Sequence, residues 1–174
     1  MTNFWMKREA RTSLDGLSRR GYVYQANVER SIPNGASASA QFVTGSVATV
    51  VHLLETVTSA ASVRFGVHEA TATSGVGGDV TGVNLNQLVA GSASVSALIM
   101  SASVTSASVS RPLEVSIVPG GGKGGGAGGH GELRVLKPST TYLLTMDNLD
   151  SQTTVCAVQM LWSEGEPGPY PPLG

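Results

Sequence analysis

Cysteine, aromatic residues and charge are all scarce in this chain of 174 residues. The single cysteine, Cys156, excludes an intrachain disulfide framework. Only 13% of the residues are charged and 5% are aromatic, and no apolar run approaches the ~20 residues that span a bilayer. Charged residues at positions 7, 8, 9 and 11 interrupt any early apolar run, so we expect no secretory signal. The sequence therefore predicts a protein made in a reducing cytoplasm, with no membrane among its partners.

Small and β-branched residues take the place of the missing types, since Gly, Ser, Ala, Val and Thr dominate the composition. Such residues suit closely spaced strands better than long helices. From Ile32 onward, short apolar or alternating segments recur between turn signals such as Pro33-Asn34-Gly35 and Asp150-Ser151-Gln152. The predicted strands cover residues 40–43, 47–57, 63–68, 83–89, 95–101, 113–118, 142–147 and 153–162.

The last of these segments is apolar on both faces. Cys156, Val158, Met160 and Trp162 alternate with a second set that includes Val155 and Leu161. Two apolar faces predict a central strand that is covered on both sides. In this pattern Cys156 is a small core residue and Trp162 is buried.

These segments predict an all-β fold, an antiparallel β-sandwich of about eight strands, with a jelly roll favoured by the number of strands. We divide the chain into a basic N-terminal arm at 1–30, a β-sandwich domain at 31–164 and a Pro-rich tail at 165–174. A Gly-rich loop at 119–131 is interpreted as a flexible hairpin tip, because so many glycines do not hold one shape alone.

The arm carries most of the positive charge. Residues 1–30 hold six basic residues against three acidic ones, a net +3, whereas the other 144 residues hold five against nine, a net −4. A basic arm on an acidic domain can bind an acidic surface of a partner. Nucleic acid is an unlikely partner, because no recognition motif accompanies the basic residues. The predicted partner-binding residues are Phe4, Trp5, Lys7, Arg8, Arg11, Arg19, Arg20 and, in the tail, Tyr170.

No segment has the pattern of an active site. The Gly-rich loop leads into a strand rather than a helix, and Lys123 precedes Gly124 where a phosphate-binding loop needs Ser or Thr. His52, His68 and His130 lack metal-ligand spacing, and no G-x-S-x-G elbow occurs among the many serines. We therefore expect no catalytic, cofactor-binding or metal-binding residues, no cofactor and no small-molecule substrate.

Several segments in order carry a family resemblance. They are Val63-Arg64-Phe65-Gly66-Val67-His68-Glu69, Val83-Asn84-Leu85-Asn86, Ile117-Val118-Pro119-Gly120, Leu136-Lys137-Pro138-Ser139-Thr140-Thr141-Tyr142, Met146-Asp147-Asn148 and Leu161-Trp162-Ser163-Glu164. Across about residues 31–164 the chain resembles the small β-sandwich decoration (cement) proteins of short-tailed bacteriophages. The arm and the tail depart from that pattern, as does Gln87, which stands where the pattern has Arg.

The resemblance implies a structural virion protein rather than an enzyme. Its partner would be the major capsid protein, bound on the outer surface of the capsid, and the chain itself would form a homodimer or homotrimer. The alternative is a head-fibre, collar or tail-fibre adaptor of the virion. A module that recognises host glycan is a weaker alternative, because Trp162 is expected to be buried and Tyr170 lies among prolines.

Overall fold

Twelve β-strands form in the part of the chain that the computed structural model describes. That part comprises residues 17–18, 21–47, 49–58, 61–70, 79–86, 88, 94, 97–99, 109–120, 126–130 and 134–165. The strands are β1 (Val23–Ile32), β2 (Ser37–Val43), β3 (Thr49–Thr58), β4 (Val63–Ala70), β5 (Asp79–Thr81), β6 (Val83–Asn84), β7 (Ala97–Ile99), β8 (Val109–Val118), β9 (Gly126–His130), β10 (Arg134–Leu136), β11 (Thr141–Asn148) and β12 (Thr154–Glu164).

The strands build two antiparallel sheets. The first sheet has the order β10-β3-β12-β1-β6, with β9 also pairing with β3, and the second has the order β5-β7-β2-β11-β4-β8. The main pairs are β1 with β12, β2 with β11, β3 with β9 and β10, and β4 with β8. Successive pairs in this series lie in alternate sheets, which is the strand order of a jelly roll. The predicted all-β sandwich is confirmed.

The core lies between the two sheets and is filled by alternate residues of the long strands. Trp162 of β12 is fully buried, stacks on Tyr24 with ring centroids 6.1 Å apart, and meets Phe42 edge-on at 5.1 Å. Since Phe42 belongs to the opposite sheet, the indole bridges the two layers. The other large side chains that are fully buried are Phe65, Ile32, Leu144 and Met146.

The predicted boundary of the arm at residue 30 is wrong. Strand β1 begins at Val23 and lies between β12 and β6. Tyr24, Ala26 and Val28 alternate into the core, while Glu29 on the other face of the strand is exposed. Because the sequence of β1 is rich in charged and polar residues, its apolar–polar alternation was not recognised as that of a strand. The arm therefore ends at residue 22, with five basic residues against two acidic ones and an unchanged net charge of +3.

The interpretation of the whole Gly-rich segment as a flexible loop is also wrong. Gly126–His130 forms β9, which pairs with β3 from Thr58↔Gly126 to Leu54↔His130. Glycine has no side chain that could hold this segment in place. The backbone hydrogen bonds with β3 order it instead. Residues 121–125 lie outside the described part of the chain.

The strand predicted at 83–89 is shorter than expected, and the face of β12 that carries Val155 is only partly covered. The segment at 83–89 contributes β6, two residues long, and the segment at 95–101 contributes β7. On β12, Cys156 and its alternating partners are buried, whereas Val155 on the opposite face is exposed. The strand is central in its sheet, as predicted, but its outer face meets no second layer at Val155.

Candidate interaction surfaces

The partner-binding residues predicted from the sequence all fall where the structure gives no description. These are Phe4, Trp5, Lys7, Arg8, Arg11, Arg19, Arg20 and Tyr170. The structure does describe the point at which the arm joins the sandwich.

The arm ends in a tightly bonded turn. Leu17 and Ser18 are helical, the amide of Gly21 donates to the Ser18 carbonyl at 2.9 Å, and the amide of Tyr22 donates to the Leu17 carbonyl at 3.1 Å. These two bonds, with Gly21 at a φ of 78°, form a Schellman motif. This motif links the described end of the arm to the start of β1.

Strand β6 lies against this junction. The Asn84 side chain donates through Nδ2 to the Gly21 carbonyl at 2.8 Å, and the amide of Leu85 donates to the Val23 carbonyl at 3.0 Å. The next turn is held by the Asn86 side chain, whose Oδ1 accepts from the amide of Leu88 at 3.0 Å. The short stretch after β6 is therefore ordered by side-chain amides rather than by a continued ladder.

Four apolar side chains are exposed around this junction, and we call them the arm-root patch: Tyr22, Val83, Leu85 and Leu88. Val83 is 58% exposed and Leu88 is 96% exposed. Single exposed apolar residues are ordinary, but a group at one corner of a domain is typical of a contact surface. One sequence signal pointed to the patch, since Val83 and Leu85 alternate with Asn84 and Asn86. It did not indicate which side faces solvent.

A glycine fixes β6 to the core beneath the patch. A Cβ atom placed on Gly82 would lie 2.5 Å from Cζ2 and 2.7 Å from Cη2 of Trp162, and 3.2 Å from Cβ of Tyr24. Only a residue without a side chain can pass this close to the indole. The residue that precedes Val83 is therefore packed directly against the core.

The indole also anchors a buried polar cluster. Trp162 Nε1 donates to Glu164 Oε1 at 2.9 Å, and Ser94 Oγ donates to the same oxygen at 2.5 Å. Glu164 is buried, and its amide donates to the Tyr22 carbonyl at 3.1 Å. These bonds satisfy buried groups that would otherwise be costly, and they link the end of β12 to the root of the arm.

A charged cleft of about 440 Å³ lies at the other edge of the sandwich, between β8 and β10. Arg134 pairs with Glu114, and Lys137 Nζ contacts both carboxylate oxygens of Glu69 at 2.8 and 2.9 Å. The hydrogen bond and charge of Glu69 raise the pKa of Lys137, and burial raises the pKa of Tyr142. Because both cations are paired with carboxylates, a charged ligand would have to displace an ion pair. The cleft is better suited to closing the sandwich edge than to binding a ligand.

A histidine and a serine meet at a β-bulge. The ladder between β12 and β3 shifts register between Leu161 and Trp162, which leaves His52 as the extra residue of β3. Its Nε2 lies 2.8 Å from Ser163 Oγ, and burial lowers the pKa of His52. A neutral histidine beside a serine hydroxyl resembles part of a catalytic dyad. Ser163 is only 6% exposed, however, so a substrate has little access to it.

Among the described residues, no group of three or more His, Cys, Asp or Glu side chains could hold a metal ion. Within the same residues, no helix is long and apolar enough to cross a membrane. Cys156 is buried, and burial raises the pKa of its thiol to about 11, as expected for an inert core residue.

Comparison with known proteins adds little to this description. No protein-family model matches the chain, and no curated protein matches it. The solved structure of the Yersinia pseudotuberculosis-derived mitogen is similar to it with a TM-score of 0.39 and 8% identity, over 78% of this chain and 83% of that chain. A likeness at this TM-score contributes nothing to the functional assignment, which must come from the surface of this chain.

Proposed function

We propose that this protein is a structural virion component that binds the outside of a phage capsid and bridges subunits of the major capsid protein. The observation that carries the proposal is the arm-root patch, where exposed apolar side chains surround the junction of a basic arm. The resemblance of residues 31–164 to phage decoration proteins supports the same assignment. The site of action would be the capsid surface, after synthesis in the bacterial cytoplasm.

The proposed binding to the capsid would combine two weak contacts that lie close together on this protein. The patch offers apolar area beside a segment packed against the core, and the arm, with a net charge of +3, joins the sandwich at the same corner. Once one contact has formed, the other becomes intramolecular and its effective concentration rises. Two modest contacts on neighbouring capsid subunits can therefore hold a small domain firmly in place.

The decisive measurement is the number of copies of this chain per major capsid protein in purified virions, by quantitative mass spectrometry. Decoration of the capsid predicts a near-stoichiometric ratio. A few tens of copies per particle would overturn decoration in favour of the fibre or collar alternative, and absence from virions would overturn any virion role.

The patch can be tested by adding the purified chain to capsids assembled without it and measuring co-sedimentation. Leu88→Asp and Val83→Asp place a charge in the contact, and we expect binding to weaken about tenfold or more. Val135→Asp is the matched control, because Val135 is also exposed but lies on β10 by the charged cleft. Equal binding by the patch variants and the control would show that the patch is not the contact surface.

A further inference from the structure

Strand β8 is the last strand of the second sheet among the strands that the structure describes. Its ladder with β4 is regular from Val63↔Val118 to Val67↔Glu114, and register shifts occur only beyond that, around His68 and Pro112. The half of β8 that follows Pro112 is thus a straight strand at the border of its sheet.

The outer face of this straight half is apolar. Val115 is 54% exposed and Ile117 is 61% exposed, and Leu113 before them is also exposed. Beside Val115 on β4 lies Gly66, and the side chains of His68 and Thr145 occupy the space over this glycine. Natural proteins usually protect such a border with lysine, proline or inward charge. Here no lysine occurs between Leu113 and Val118, Pro112 stands before the regular part, and the inward-facing Glu114 is paired with Arg134 of the same chain.

We propose that the straight half of β8 pairs with the same strand of a second copy of this chain, antiparallel about a two-fold axis at Val115. In this register Val115 faces its own copy, and Leu113 faces Ile117 of the other chain. Apolar residues therefore meet apolar residues in both directions along the outer face. Such self-complementarity is what an isologous two-fold contact requires.

The charges on the inner face favour this register. A two-fold axis at Val115 places Glu114 opposite Ser116, whereas an axis at Glu114 would place two carboxylates directly opposite each other. Like charges facing each other across a ladder destabilise the pair. Glu114 already pairs with Arg134 of its own chain, so the inner face needs no counter-charge from the second copy.

The contact is small. One strand and three partly exposed side chains bury less than the about 800 Å² per partner of a standard interface. The free chain should therefore dimerise only at high concentration, while copies held close together on a particle would pair readily. The inference does not depend on the proposed capsid role, because pairing can be measured with the purified chain alone.

The test is disulfide crosslinking of Val115→Cys, oxidised with glutathione disulfide and analysed on a non-reducing gel. Residues opposite each other on a two-fold axis have Cβ atoms close enough for a disulfide after small adjustments. The native Cys156 is buried and does not compete. We expect crosslinked dimer to form at least tenfold faster than with Val83→Cys, a matched control that is as exposed as Val115 but lies on β6.

Adding Ile117→Lys to Val115→Cys should slow crosslinking to the rate of Val83→Cys, since the lysine would face Leu113 of the second copy. Ile117 is exposed, so the variant should fold, and its circular dichroism spectrum checks this. Crosslinking of Val115→Cys no faster than that of Val83→Cys would overturn the inference. Fast crosslinking that survives Ile117→Lys would also overturn it, because the strands would then not be in this register.

Discussion

The indole of Trp162 is the point where the two sheets and strand β6 meet. Its ring contacts Tyr24 and Phe42, its Nε1 is satisfied by Glu164, and its outer edge lies against the backbone of Gly82. Close packing of this kind leaves no space for an added methyl group. The stability of the fold and the position of the arm-root patch therefore depend on the same few atoms.

Gly82→Ala should destabilise the protein. A Cβ at 2.5 Å from the fully buried indole forces either the ring or the backbone to move, and such overpacking costs about 1–3 kcal/mol. The free energy of unfolding in urea measures the loss. The control is the same substitution combined with Trp162→Phe, whose smaller ring removes the clash, so the two losses should be less than additive. Additive losses would show that Gly82 and Trp162 do not interact.

His52 predicts a pH dependence of stability. Its pKa is lowered below 6.5 by burial in the folded protein, so the unfolded chain binds a proton more readily. The stabilising contribution is therefore fully present above pH 6.5 and is lost as the pH falls below that value. The native melting temperature should fall more between pH 7.5 and pH 5 than that of His52→Gln. Parallel profiles for the two proteins would contradict a buried neutral histidine.

At the scale of elements, the two ion pairs at the edge of the sandwich differ in burial and hence in strength. Arg134 and Glu114 join β10 of one sheet to β8 of the other, whereas Lys137 and Glu69 are more exposed. Water and salt screen an exposed pair and weaken it. The Arg134–Glu114 pair should therefore contribute most of the electrostatic link between the sheets at this edge.

A double-mutant cycle with Arg134→Met and Glu114→Gln should give a coupling free energy of about 1 kcal/mol. The same cycle with Lys137→Met and Glu69→Gln should give a smaller coupling that shrinks further in 0.5 M salt. Unfolding in urea provides both values. A larger coupling for the exposed pair would contradict this order.

The strands that were predicted correctly are those with apolar residues at every second position. Val63, Phe65 and Val67 marked β4, and Tyr142 and Leu144 marked β11. Strand β1 was missed because the polar residues on its outer face made the alternation of apolar and polar residues hard to recognise. Strand β9 was missed because a run of glycines shows no such alternation. Strand β1 pairs with β12, and β9 pairs with β3. Both partners are distant in the sequence, so a short local window does not include the residues that order these strands.

The candidate surfaces were harder to predict than the strands. The ion pair of Lys137 with Glu69 joins residues 68 positions apart, and the arm-root patch combines Tyr22, just before β1, with Val83 of β6. The charge of the arm directed the prediction to residues of the arm itself, and these lie outside the described part of the chain. The prediction did not place the apolar half of the surface, because exposure depends on where β6 docks.

At the scale of the whole molecule, the boundary between the arm and the sandwich decides how the proposed role of the arm can be tested. A deletion of residues 1–30 would remove β1 from between β12 and β6 and would test folding instead of binding. A deletion of residues 1–16 keeps the turn at Gly21 and the strand that follows it.

The 1–16 deletion should leave the melting temperature within a few degrees of the native value, because all the core residues that the structure describes come later in the chain. It removes Phe4, Trp5 and three of the five basic residues of the arm, namely Lys7, Arg8 and Arg11. Binding to capsids should therefore weaken at low salt and become less sensitive to salt, since fewer charges remain to be screened. Val83→Ser, by contrast, should weaken binding about equally at low and high salt, because it removes apolar area without adding a charge. If the deletion and Val83→Ser had the same salt profile, the arm would not act as the electrostatic half of the surface.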